Sequence, residues 1–74
     1  MEDETVEVKE GIYKAAMAFD GLCEGDGFIL AEMIEGHYTR AGDEQKRKHW
    51  RAITDYLKCR EFVGKGTRVI IIPD

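Results

Sequence analysis

The sequence predicts a single α+β domain, with three helices followed by a C-terminal β-hairpin. Three observations predict this fold. Apolar residues recur at helical spacing in three segments, glycines and acidic residues separate those segments, and a β-branched run at 67–72 follows a Gly-Lys-Gly tip. A chain of 74 residues makes one domain, 1–74, in which the acidic residues 1–4 are expected to be frayed.

The first helix is expected to begin at Thr5, which can cap it, and to stop at Gly21. Its periodic apolar residues are Val8, Ile12, Ala16 and Phe19. The segment Val6-Glu7-Val8 also alternates in polarity, so a short strand there is the alternative.

The second helix is expected after a glycine-rich loop at 21–27, with Asp26 as its cap. Its apolar side is formed by Leu30, Met33, Ile34 and His37, with Ile29 flanking. The helix ends at Gly36 or runs on to Tyr38, and residues 39–42 form the connection to the third helix.

The third helix has the clearest pattern, and Asp43 is its expected cap. Its inward stripe comprises Trp50, Ile53 and Leu57, which favours a core position for the tryptophan over stacking on a base. The opposite side carries Arg47, Arg51, Thr54 and Lys58. The predicted hairpin then pairs Phe62–Val63 with 67–72 across the tip at 64–66.

Charge is divided unevenly along the chain. Residues 1–44 carry twelve acidic and three basic side chains, whereas residues 45–74 carry eight basic and three acidic ones. The net charge of −4 therefore conceals a basic C-terminal part. Such an asymmetry indicates a surface that meets an anion, and nucleic acid is the commonest large anion.

The helix Asp43–Arg60, the short connection before it and the hairpin Phe62–Ile72 together resemble a winged helix-turn-helix domain. The resemblance implies a small DNA-binding protein of the kind that regulates transcription, with its third helix in the major groove of double-stranded DNA and its wing on the backbone or in the minor groove. The expected DNA-binding residues are Arg40, Gln45, Lys46, Arg47, Lys48, Arg51, Thr54, Lys58, Lys65 and Arg68.

Side-chain chemistry suggests roles within this set. Arg47 and Arg51 are candidates for reading guanine, because a guanidinium donates two parallel hydrogen bonds to that base. Gln45 is the candidate for adenine. The cations expected on phosphates are Arg40, Lys48, Lys58, Lys65 and Arg68.

Two alternatives stay open. A surface with acidic and basic parts also suits a protein–protein interaction module. The acidic half could instead mimic DNA for a basic partner. A domain this small offers limited contact area to DNA, so a homodimer or a protein partner is expected for useful affinity.

Enzymatic, cofactor and metal functions are not expected. No acidic pair, phosphate loop or catalytic dyad is recognisable. The potential zinc ligands Cys23, His37, His49 and Cys59 contain no closely spaced pair, and the stretch 22–33 lacks both end ligands of a calcium loop. No apolar run is long enough for a membrane span, and no signal peptide is recognisable. A cytoplasmic location with free thiols is therefore expected.

Overall fold

The computed structural model describes residues 4–74, and within them the chain forms three helices and two strands, which confirms the α+β class. The elements in order are β1 (Glu4–Lys9), α1 (Glu10–Leu22), α2 (Gly27–Ala41), α3 (Glu44–Arg60) and β2 (Thr67–Ile72). Fraying was expected for residues 1–4. Residues 1–3 lie outside the described part, and Glu4 belongs to β1.

The C-terminal hairpin was predicted wrongly, because β2 pairs with β1 in a parallel sheet. The register sets Val6 beside Val69, and the ladder begins with the hydrogen bond from Glu4 N to Gly66 O at 2.7 Å. Phe62 and Val63 instead continue the turn after α3, because their amides donate to the carbonyl oxygens of Cys59 and Arg60 at 2.9 and 3.3 Å. They therefore do not form an antiparallel strand against β2. Gly64 and Gly66 have φ values of 85° and 100°, and they form the turn that leads into β2.

The N-terminal segment adopts the alternative conformation, a strand, and α1 begins only at Glu10. Thr5 therefore lies inside β1 and does not cap a helix. The amide of Gly11 in the first turn of α1 instead donates to Asp74 Oδ2 at 2.7 Å, so a carboxylate from the far end of the chain meets the positive end of α1. The helix ends at Leu22, one residue beyond the predicted stop at Gly21.

The N-terminus of α2 is capped by Asp20 and not by the predicted Asp26. Asp26 makes no side-chain cap hydrogen bond, whereas Asp20 Oδ1 accepts from the amide of Gly27 at 3.1 Å. A Cβ on Gly27 would lie 2.9 Å from the Asp20 Cα, so this approach requires glycine. The helix runs on to Ala41 and ends at Gly42 with φ 77°, so most of the expected connection at 39–42 is helical.

The cap of α3 is the predicted one, since Asp43 Oδ1 accepts from the amide of Lys46 at 3.1 Å. The inward stripe of α3 is confirmed, and Trp50 packs edge-to-face on Phe19 with ring centroids 4.9 Å apart. This helix supplies much of the core, whose buried hydrophobic side chains are Val8, Ala16, Ala31, Ile53, Tyr56 and Leu57.

Asp20 connects all of the helices in the described structure, because its other oxygen, Oδ2, lies 3.2 Å from Arg60 Nη1 of α3. We expect Asp20→Ala to lower the free energy of unfolding by about 1–2 kcal/mol, since it removes a partly buried cap. Urea unfolding followed by Trp50 fluorescence measures the change. Asp26→Ala is the matched control and should cost less than about 0.5 kcal/mol. Equal losses in the two variants would contradict this assignment of the cap.

Candidate functional site

The basic side of α3 borders a groove between α2 and α3. Arg51, Thr54 and Lys58, which the sequence placed on one face, line this groove together with acidic residues. The full lining is Phe28, Glu32, Glu35, Arg51, Thr54, Asp55 and Lys58, and the volume of this open groove is about 200 Å³. The expected cationic face of α3 therefore contains carboxylates as well.

Arg47 is held by a carboxylate of its own helix. Its Nε and Nη2 donate to the two carboxylate oxygens of Glu44, each at 3.0 Å. These hydrogen bonds, with the charge of Arg47, lower the pKa of Glu44, and the same pairing raises the pKa of Arg47. The guanidinium of Arg47, which was expected to read guanine, therefore already donates to the carboxylate of Glu44.

Arg51 is shared between two carboxylates. Its Nη1 lies 3.3 Å from Glu35 Oε1 of α2, and its Nε lies 3.3 Å from Asp55 Oδ1. The hydrogen bond to Glu35 and the charges of both acids raise the pKa of Arg51. Glu35 is the more buried partner, with a side chain 14% exposed. Arg51 therefore links α2 to α3, and a nucleic acid would have to displace this pairing to use it.

Thr54 was predicted to lie on the outward face of α3, and that prediction is wrong. The residue is 6% exposed, and its hydroxyl donates to the carbonyl oxygen of Trp50 at 2.8 Å. The groove wall contributed by α2 covers this side of α3, so Thr54 is closed to a large ligand. A threonine bonded to the carbonyl four residues before it is a common way of burying its hydroxyl in a helix.

The remaining predicted residues lie on several segments. Lys46 lies 4.0 Å from Asp43 and over the ring of Tyr38, at 5.4 Å from its centroid. Gln45, Lys48, Lys58 and Lys65 are exposed. Within residues 4–74, no ion pair involves Lys48, Lys58 or Lys65.

Two predicted arginines lie away from α3. Arg40 is in the last turn of α2, and Arg68 is in β2 beside Thr5 of β1. The second of these is exposed on the sheet and not on the predicted hairpin wing. The predicted cations therefore occupy α2, α3, the turn before β2 and the sheet.

Sequence reasoning missed the most exposed apolar surface of α2. Met33 and Leu30 were assigned to the apolar side of this helix, but they are 64% and 40% exposed, and Ile29 is 58% exposed. The side that packs inward instead carries Gly27, Phe28, Ala31, Ile34, Glu35 and Tyr38. The helical spacing of Phe28, Ala31 and Tyr38 could have identified the inward side of α2. Gly27 and Glu35 on the same side made this apolar pattern hard to recognise.

The outer face of α2, defined here by Ile29, Glu32, Met33, Gly36 and Arg40, lines a shallow groove. At about 100° per residue, Ile29, Met33, Gly36 and Arg40 fall within a sector of about 60°, opposite the inward side. Leu30 and His37 flank this sector. The surface thus combines apolar side chains, a glycine and two opposite charges.

Cys59 lies in a separate groove with Glu4, Val6 and Phe62. Burial, and secondarily the charge of Glu4, raise the pKa of its thiol. Cys23 and Cys59 are both free. Among residues 4–74, no three His, Cys, Asp or Glu side chains form a group that could hold a metal ion. No helix from Glu4 onward is both long and apolar enough to cross a bilayer.

Comparisons with protein families, curated proteins and solved structures gave no match to this chain. The basic side of α3 and the outer face of α2 are therefore the two candidate binding surfaces.

The raised pKa of Cys59 predicts a shifted alkylation profile. In a Cys23→Ala variant, we expect the midpoint of the rate of iodoacetamide modification against pH to lie higher in the folded protein than in urea, because burial disfavours the thiolate. The midpoint, unlike the rate, is insensitive to simple steric access. An equal or lower midpoint in the folded state would exclude the proposed effect of burial.

Proposed function

We propose that this chain is a small protein-interaction module that binds through the outer face of α2. The observation that carries the proposal is the exposure of Ile29 and Met33, at 58% and 64%, on adjacent turns of one helix face. Single exposed apolar residues are ordinary, but a contiguous group bordering a groove is typical of interaction sites. A binding role in the cytoplasm is part of the proposal, and it agrees with two free cysteines in the described structure.

The charges of α3 also favour a protein partner. The two arginines best suited to bases, Arg47 and Arg51, are engaged by Glu44, Glu35 and Asp55. Acidic side chains in the same groove repel phosphates, whereas a protein surface can complement mixed charges. Electrostatics therefore weigh against the α3 groove as a site for DNA.

Photo-crosslinking from the outer face of α2 tests the proposal. With a photoreactive amino acid at position 33, in the cells that produce the protein, we expect a discrete protein adduct, because a bound partner would cover this side chain. The matched control is position 14 on α1, an exposed and charged site. Gel mobility and mass spectrometry of the adduct identify the partner. Equal labelling at both positions, or none at either, would reject the outer face of α2 as a binding surface.

DNA binding is the second candidate function, and the resemblance to winged-helix proteins belongs to it. The specific observation in its favour is the set of exposed lysines Lys48, Lys58 and Lys65, which have no ion pair in the described part of the chain. Lysines of this kind can contact phosphates whatever the base sequence.

Titration of a fluorescent random duplex distinguishes the two candidates. We expect weak binding at low salt that falls steeply and disappears near about 0.15 M salt, because only a few lysines are available to phosphates. Replacing Lys48, Lys58 and Lys65 by alanine should abolish the low-salt signal, whereas Lys14→Ala should not. Binding that persists at about 0.15 M salt with a dissociation constant below about 10⁻⁷ M would favour DNA as the principal ligand.

A further inference from the structure

We infer that the outer face of α2 binds the same face of a second copy of this chain, with the two α2 helices antiparallel and related by a twofold axis. The inference rests on the proposed function, because it assigns a partner to that surface.

Gly36 has no role that the isolated chain explains. It lies in the interior of α2, and it is not among the glycines with positive φ. A Cβ at this position would meet only the Arg40 Nη1, at 3.4 Å, which is an ordinary contact. Glycine weakens a helix interior relative to alanine, and one reason to keep it there is the close approach of another molecule to the backbone. Gly36 therefore leaves a depression at the centre of the outer face of α2, and the guanidinium of Arg40 lies at its edge. Arg40 has to turn towards the second copy for Met33 of that copy to enter.

The same face supplies a side chain that fits the depression. Met33 stands one turn before Gly36, and it is 64% exposed. In an antiparallel pair centred between these two residues, Met33 of each copy lies over Gly36 of the other. Ile29 then lies beside the aliphatic stem of Arg40 of the second copy, which covers apolar surface on both helices.

The charges of the face are self-complementary in this orientation. Glu32 and Arg40 stand on opposite sides of Gly36, four residues before it and four after it. Neither has an ion pair within residues 4–74. In the register that sets Met33 over Gly36, Glu32 of each copy lies three residues, about 4.5 Å along the axis, from the level of Arg40 of the other. The two long side chains can span this offset, and the twofold axis forms the pair twice. A parallel arrangement would instead place like charges at the same height, which disfavours it.

One helix face is a small interface. We therefore expect a reversible dimer with a dissociation constant of about 10–100 μM, at the weak end of specific association. Sedimentation equilibrium from about 5 to about 500 μM covers this range. A wild-type protein that stays monomeric throughout would overturn the inference.

Gly36→Gln tests the depression without damaging the fold. Glutamine favours the helix, but its side chain occupies the space needed by Met33 of the second copy. We expect the dissociation constant to rise at least about tenfold while the midpoint of urea unfolding, measured at a concentration where the protein is monomeric, stays the same or increases. The control is Gly21→Gln, since a Cβ at Gly21 meets nothing within 4 Å. It should leave the dimer unchanged.

Charge reversal tests the orientation. Glu32→Arg and Arg40→Glu should each weaken the dimer about tenfold, because both reciprocal pairs become repulsive. The double variant E32R/R40E should recover wild-type affinity. An equimolar mixture of the two single variants should form a heterodimer, since each copy then offers the opposite charge at both pairs. Dimerisation unaffected by Gly36→Gln and by the single reversals would place the contact elsewhere.

The crosslink at position 33 separates failure of this inference from failure of the proposed function. An adduct with the mass of two copies supports both. An adduct with a different protein, together with a monomeric wild type in sedimentation, retains the interaction module and rejects the self-association. No adduct and no dimer reject both.

Discussion

The parallel pairing of β1 with β2 is the constraint on which the rest of this structure depends. It brings both ends of the described chain together, so the three intervening helices connect two adjacent parallel strands. Val6 and Val8 line one groove together with Ile12 of α1 and Tyr56 of α3. A carboxylate at the end of the chain, Asp74, also reaches the first turn of α1 because of this pairing. Long-range strand pairing and helix capping are thus coupled.

This arrangement gives the helices unequal surroundings. α1 and α3 lie between the sheet and α2, whereas α2 packs mainly on α3 and, to a lesser extent, on α1. The inward side of α2 is narrow, with Ala31 fully buried and Phe28 against the core. The opposite side is left to solvent, and its apolar residues are therefore the ones whose exposure needs an explanation.

The cap and the apolar stripe of α3 could be predicted because they depend on residues close together in the sequence. Contacts between distant parts of the chain could not be predicted in this way. Asp43 and the stripe of Trp50, Ile53 and Leu57 depend on near neighbours, which a sequence displays directly. The strand partner of β2 is about sixty residues away, and Asp20 caps a helix seven residues later because a tight turn returns the chain. The orientation of α2 was predicted wrongly because its buried side contains Gly27 and Glu35, which read as polar or neutral.

Opposite charges in the two halves of the chain serve partly to join them. Asp20 pairs with Arg60 and Glu35 with Arg51, so acids of the first half neutralise bases of the second within one molecule. Such partly exposed pairs contribute little stability, but they fix which helices face each other. The uneven charge distribution suggested an external anion as partner, but part of it is neutralised by these ion pairs within the chain. Glu32 and Arg40, on one helix face and eight residues apart, have no ion pair within residues 4–74, and they are therefore the charges that we propose for contact with a second copy.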